Sequence, residues 1–287
     1  MIVLKMSGGL GNQMFQYAAA LQLATRVSTE IKFDLSDYTF HPDRHFSLDV
    51  FGIQKLEYRQ IWPLRMMTNF RLFRRLGWDQ IQPSFKVYLE PHFHYDPNFE
   101  NLRDQTYMIG YFQTEKYFSN IREQLRKTFR FQIKKQDLTM FFEKKIRTTN
   151  AVSLHIRRGD YVSNPKALEF HGLMSNEYYS SAIKKVQELR GQCTFFVFSD
   201  DSDWAKNWAT HHLPKDSIIV SSAETHDSDE MYLMSLCRYH IMANSSFSWW
   251  ASWLNENPDK LTIAPQSWFK DKSYKTDDLY IPQWIKF

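Results

Sequence analysis

The sequence predicts an α/β protein of two halves facing one another, each built on a parallel sheet. Two observations carry that expectation. From Ala151 onward, short apolar runs alternate with helix-forming stretches at the spacing of βαβ units. The chain also opens with a strand, a glycine-rich loop, a helix and a second strand. The rhythm breaks near Asn150, which divides the halves as 1–150 and 151–287.

The elements follow in order. "IVLKM" is a strand and "SGGLGNQ" a loop, and Met14 to Arg26 form a helix of strong helix formers with a basic end. "IKFDL" is the second strand. Residues from about 40 to 150 resist parsing, being aromatic and basic at irregular spacing. "AVSLHI" then begins the regular part. The helix "NEYYSSAIKKVQEL" takes Ser175 or Asn176 as its cap. "TFFVFSDD" is a buried strand ending in carboxylates, followed by the helix "DWAKNWAT". "SIIVS", "YHIMANSS" and "KLTIAP" are strands; "DEMYLMSLC" and "FSWWASWL" are the helices between them.

A chain of 287 residues accommodates one large or two ordinary domains with a real core. Its 43% hydrophobic and 16% aromatic content argues against disorder. A net charge of +4 suits an anionic small ligand or a membrane surface and is too weak to indicate nucleic acid. Cys193 and Cys237 stand outside any metal-binding spacing and read as buried thiols of a reducing compartment. The apolar run at the N-terminus is too short for a signal peptide or anchor, so a soluble, cytoplasmic protein is expected. Ile61 to Trp78 mix arginines with large apolar residues. They read as a surface helix packed on its own domain, with peripheral contact at the inner face of a membrane as the alternative.

Open parallel sheets bind ligands beyond the carboxyl ends of their strands. Three stretches fall there. Gly8, Gly9 and Gly11, with Asn12 and Gln13, allow close backbone approach, although the spacing is neither GxGxxG nor a P-loop. Asn244, Ser245, Ser246, Phe247 and Ser248 offer donors at a helix N-terminus. "HIRRGD" is the most specific, because arginine presents a planar fork matched to phosphate oxygens. Strand alternation keeps Arg157 and Arg158 from one anion unless the strand has already ended. On one face, His155 and Arg157 can hold a diphosphate, leaving Arg158 to Asp160 or another carboxylate. Asp200 and Asp201 are the nearest metal-binding candidates, and a strand-end turn with a helix cap is the favoured reading of them.

Together "SGGLGNQMFQYAAALQLA", "HIRRGDYV", "HGLMSNEYYSSAI", "FFVFSDD" and "ANSSFSWWASWLN" resemble the bacterial α-1,2-fucosyltransferases of glycosyltransferase family 11. The resemblance implies a GT-B-like fold of two Rossmann-like halves facing a cleft, with 1–150 as the acceptor-side half that carries the glycine loop and 151–287 as the half that binds the nucleotide sugar. It implies GDP-β-L-fucose as donor, a terminal β-galactoside as acceptor, inversion to an α-1,2 linkage, and no metal or other cofactor. On the family motif, Arg157 holds the donor β-phosphate with His155 nearby, Arg158 and Asp160 complete the catalytic set, and Asn12 lies beside the donor. Glu230 falls where relatives place an acidic residue on guanine; they usually carry aspartate, so Asp229 or Glu230 reads the base. The base for the acceptor hydroxyl is open among Asp160, Glu169, His171 and Asp34. The rival readings are an NAD-dependent oxidoreductase that modifies nucleotide sugars and a non-catalytic carbohydrate-binding protein. The missing GxGxxG speaks against the first.

Overall fold

The protein is described by a computed structural model covering residues 1–41, 44–58, 85–132 and 136–287, with Asp160 by its backbone alone. The Ile61 to Trp78 stretch lies outside these residues. The chain divides into two compact units, Met1–Arg130 with Asp277–Leu279, and Phe131–Thr276 with Tyr280–Phe287.

The first unit contains β1 (Ile2–Lys5), α1 (Leu10–Val27), β2 (Ile31–Asp34), β3 (Lys86–Leu89), β4 (Thr106–Ile109) and α2 (Arg122–Thr128). Its strands are all parallel, in the order β2-β1-β4-β3. Ile2, Val3 and Leu4 of the inner strand β1 are fully buried, as are Met14, Ala18 and Leu23 on α1. The helix starts four residues earlier than its apolar run suggests. Gly9 is its extended N-cap, so Gly11, Asn12 and Gln13 belong to the first turn and the loop shrinks to Ser7–Gly9. β3 and β4 lie in the stretch that the sequence did not resolve. They are four residues each, flanked by aromatics that obscure any alternation.

The second unit contains α3 (Asp137–Arg147), β5 (Ala151–Ile156), α4 (Gly159–Ser163), α5 (Pro165–His171), α6 (Asn176–Arg190), β6 (Thr194–Ser199), α7 (Ser202–His212), β7 (Ile218–Ile219), α8 (Asp227–Leu236), β8 (Tyr239–Ile241), α9 (Ser246–Leu254), β9 (Leu261–Ala264) and β10 (Ile285–Lys286). Its six parallel strands run β10-β9-β8-β5-β6-β7. Counted from β5, that is the order of dinucleotide-binding sheets, with both halves of the sheet growing outward from β5 and β8. Every residue of β5 is buried, as befits a central strand covered on both faces. Val152, Leu154, Phe195, Val197, Ile241 and Ile263 form the sheet's share of the core, with Tyr179, Ile183 and Trp208 packed on it. The sequence break at Asn150 is not where the units part. α3 buries Thr139, Phe142 and Ile146 and packs against α8, which brings Phe131–Asn150 into the second unit.

Candidate active site

Strand order determines where the second unit has room for a ligand. Its direction reverses between β5 and β8, and a crevice opens beyond the carboxyl ends at such a point. "HIRRGD" follows β5, "NSSFS" follows β8, and Asp200 and Asp201 follow the neighbouring β6.

β5 ends at Ile156, so neither arginine is bound by strand alternation. Arg157 Nη1 lies 3.0 Å from Asp200 Oδ2, and its guanidinium sits 5.6 Å from the centre of the Tyr161 ring. Arg158 Nε reaches Asp201 Oδ2 at 3.4 Å and its guanidinium covers the Trp204 ring at 3.9 Å. Arg158 N donates to Asp200 Oδ1 at 2.8 Å. Each arginine thus has its own carboxylate. Arg158 pairs with Asp201; the Asp160 side chain lies outside the described residues. Asp201 also caps α7, accepting from Trp204 N at 3.2 Å. The sequence offers Asp200 only as a strand-end turn or metal-binding candidate, whereas the structure pairs it with Arg157; the signal for that pairing is two carboxylates ending one strand and two arginines ending another.

The arginine clasp has a rear support. Tyr161 lies parallel to His171, ring centres 4.6 Å apart, and its hydroxyl donates to Asn244 O at 3.2 Å. Asn244 is buried, and its Nδ2 donates to His171 O, Gly172 O and Trp268 O at 2.9, 3.4 and 3.2 Å. The amide nitrogen thus ties Asn244 to two other backbone segments, while its buried Oδ1 has no hydrogen-bond partner. Ser245 Oγ accepts from Phe247 N at 3.3 Å, and buried Ser248 Oγ donates to Ala243 O and Ser245 O. Ser246 and Phe247 keep partly exposed side chains at the start of α9.

His155 is 3% exposed, with its ring 5.7 Å from that of Phe247. Burial pushes its imidazole down to about 4; the Arg157 charge adds to this and Asp200 opposes it. It is a neutral group beneath the arginines rather than a second cation. Glu230, in the first turn of α8, accepts from Thr225 Oγ1 at 2.7 Å. Burial pushes its carboxyl up to about 7. Thr225 and Ser221 hydroxyls oppose the rise, and Asp227 and Asp200 reinforce it. Glu230 therefore feels the charge of Asp200, the carboxylate paired with Arg157. Asp229 is buried beside it, with Oδ1 lacking a hydrogen-bond partner.

The glycine turn belongs to the first unit, where strand order reverses between β1 and β4. Gly8 has φ 72°, and a Cβ there would meet Asn12 Nδ2 at 2.6 Å, so glycine is required. Asn12 Oδ1 accepts from Gln113 Nε2 at 2.9 Å, joining the loops that follow β1 and β4. Gln13 is fully buried. It donates to Gly8 O at 3.0 Å and His45 O at 2.7 Å, and accepts from Ser47 N at 2.8 Å. That corrects its reading as a donor-binding residue.

Of the four candidate bases, Asp34 is buried and accepts from Ser36 N and Tyr107 Oη. His171 is stacked on Tyr161, and Glu169 is exposed on α5. A fifth carboxylate went unnoticed in the sequence. Glu90 directly follows β3 and accepts from Tyr111 N and Phe112 N at 2.8 and 2.9 Å, and burial pushes it up to about 7. Cys193 and Cys237 are buried free thiols. Among the described residues no helix is long and apolar enough to cross a membrane.

The model of glycosyl transferase family 11 matches residues 92–287. The alpha-1,2-colitosyltransferase of Escherichia coli is 34% identical over 292 residues, covering 99% of this chain and 98% of that protein. The O-antigen biosynthesis glycosyltransferase WbnK of Escherichia coli is 32% identical over 309 residues, covering 96% and 98%. A variant of Arabidopsis thaliana FUT1 in complex with GDP superposes with a TM-score of 0.51 at 12% identity, covering 95% of this chain and 72% of that one. NodZ alpha-1,6-fucosyltransferase co-crystallized with GDP gives 0.50 at 13%, covering 88% and 91%. At such identities the structural likeness is one of fold, and the fold is GT-B-like. The two bacterial relatives match from end to end and the family model spans both arms of the arginine clasp: the chain belongs to glycosyltransferase family 11.

Proposed function

We propose that this glycosyltransferase moves L-fucose from GDP-β-L-fucose to the 2-hydroxyl of a terminal β-galactoside, with inversion to an α-1,2 linkage and without a metal. The observation that carries the reading is Arg157, fixed 3.0 Å from Asp200 at the strand-order reversal of the second sheet. Breaking the glycosyl–phosphate bond places negative charge on the leaving GDP and positive charge on the sugar ring. A guanidinium already oriented by a carboxylate and an aromatic face meets that charge without reorganising, an effect of about 2.7–4 kcal/mol for one donor in comparable sites. The backbone amides at the start of α9 add to it. Glu230, when ionised, accepts from guanine N1–H and N2–H.

The Escherichia coli colitosyltransferase favours one second reading, a donor whose sugar is colitose rather than fucose. Colitose lacks the 3-hydroxyl of fucose. A site built to bond that hydroxyl rejects the deoxy sugar by a factor of about 10⁴, whereas a site that ignores it accepts both. The test is incubation with GDP-fucose or GDP-colitose and a panel of β-galactosides, followed by linkage analysis. Transfer of fucose to the 2-position supports the proposal; transfer of colitose alone replaces its donor, and turnover of neither overturns it.

A further inference from the structure

Two arginines leave the end of β5 in succession, and two carboxylates leave the end of the paired strand β6. Asp200 touches both arginine residues, accepting from Arg157 Nη1 at 3.0 Å and from Arg158 N at 2.8 Å. The Arg158 guanidinium is thus anchored by its own backbone beside the carboxylate that orients Arg157. Its side chain has to be directed elsewhere, or the two cations compete for one partner.

Asp201 is too distant to direct it alone. Among the described residues it is the one carboxylate that the Arg158 side chain meets. Its Oδ2 lies 3.4 Å from Arg158 Nε, beyond the roughly 2.7–2.9 Å of a strong charge-assisted bond. Its Oδ1 is taken up in capping α7. The Trp204 ring makes the tighter contact. The guanidinium carbon stands 3.9 Å from the ring centre, close to van der Waals contact and well inside the roughly 6 Å reach of a cation–π interaction. Indole offers a cation the best of the aromatic faces, and the weakly hydrated, planar guanidinium loses little water by stacking there.

The ring is itself held from behind. Trp204, Trp208 and His212 recur every four residues on α7 and so share one face of the helix. The two indoles lie 16° from parallel with centres 6.1 Å apart, and the His212 ring stacks on Trp208 at 4.7 Å. Trp208 is buried; its Nε1 donates to Asn176 Oδ1 at 2.9 Å, and the Tyr179 ring meets it edge to face at 5.5 Å. Tyr179 Oη donates in turn to His155 O at 3.2 Å. The contacts therefore start and finish in "HIRRGD", running from Arg158 through Trp204, Trp208 and Tyr179 back to His155. They brace that segment against α6 and α7.

We propose that Trp204 is a positioning residue for the transfer: it holds the Arg158 guanidinium away from Asp200, so that this carboxylate stays with Arg157. The proposal rests on the reading of Arg157 as the group that meets the leaving diphosphate. The test is a double-mutant cycle in kcat, using the full-length protein and whichever of GDP-fucose and GDP-colitose it turns over. Trp204→Leu keeps an apolar side chain, removes the π face, and is expected to lower kcat about tenfold. Trp204→Met takes its place where circular dichroism shows Trp204→Leu unfolded. Trp204→Phe retains a π face in a smaller ring and is expected to recover most of the loss. In an Arg157→Ala background, Trp204→Leu is expected to cost under about twofold, because the group it serves is already gone. A role in packing alone would make the leucine and phenylalanine variants alike and would add in full to Arg157→Ala. Either of those results overturns the proposal, as does wild-type kcat in a folded Trp204→Leu. Near-normal kcat in Arg157→Ala removes the reading of Arg157 first, and the proposal falls with it.

Discussion

One carboxylate, that of Asp200, grips Arg157 through Oδ2 at 3.0 Å and the Arg158 backbone N–H through Oδ1 at 2.8 Å. The guanidinium is therefore oriented before any ligand arrives. Arg157→Ala is expected to lower turnover by about 100-fold or more with an unchanged melting temperature, because the lost stabilisation belongs to the transition state. Arg157→Lys should recover only part of it, since a point charge does not reproduce the fork. Asp200→Asn keeps the shape and weakens the grip, so a loss of about tenfold is expected. Steady-state kinetics with GDP-fucose checks all three, and near-normal Arg157→Ala activity contradicts the assignment.

Gly159 is the next most sensitive position of the clasp. A Cβ there would lie 2.8 Å from Asp200 Oδ2 and 3.3 Å from Asp200 O, so the carboxylate has to move. Gly159→Ala should lower kcat while leaving far-ultraviolet circular dichroism intact. Unaltered kcat would mean that Asp200 can shift without releasing Arg157.

On the proposed role of Glu230 as the guanine reader, GDP binding should depend on pH. The Glu230 carboxyl is raised from 4.5 to about 7 by burial, and only the ionised form accepts two N–H groups from guanine. GDP affinity should therefore climb as pH rises through about 7 and level off above it. Stability moves the other way: the native state holds the extra proton between 4.5 and about 7, so this group's contribution falls as pH rises through that window. Glu230→Gln should flatten the affinity profile measured by calorimetry. A profile that stays steep in Glu230→Gln but flattens in Asp229→Asn transfers the role to Asp229.

Activity should survive excess EDTA. Asp200 and Asp201, the nearest candidates for a metal-binding pair, are each engaged by an arginine. Loss of turnover that Mn²⁺ or Mg²⁺ restores would make those carboxylates ligands and rule out the metal-free mechanism.

A 2-deoxygalactoside should bind as a weak inhibitor and accept no fucose. Only one hydrogen bond is lost, about 0.5–1.5 kcal/mol, while the nucleophile itself is gone. Fucosylation of that compound at any other carbon, detected by linkage analysis, would refute the 2-hydroxyl as the site of attack.

Most of the second unit was legible from sequence because its central strands are buried on both faces and read as continuous apolar runs: "AVSLHI" and "TFFVFS" became β5 and β6 as expected. β3 and β4 were not, since Tyr88, Phe99, Tyr107 and Phe112 stand in and around them without a period. The arginines of the site were visible through their chemistry. Asp200 was hidden because its role depends on which strand lies beside β5, which only the sheet order reveals. The backbone bonds of the Gln13 and Asn244 amides were hidden for a common reason. An amide in a loop motif looks the same in sequence whether it faces a ligand or a backbone carbonyl.

The strand order also sets a timetable for folding. β5 and β6 are consecutive, so the Arg157–Asp200 clasp closes a loop of moderate length as soon as that pair forms. The Asn244 staple needs β8 and the segment around Trp268 as well, and so waits for the distal part of the chain. A nascent chain ending before β8 would hold the Arg157–Asp200 pair without the support behind Tyr161. The pair and its support are thus supplied by opposite arms of the sheet.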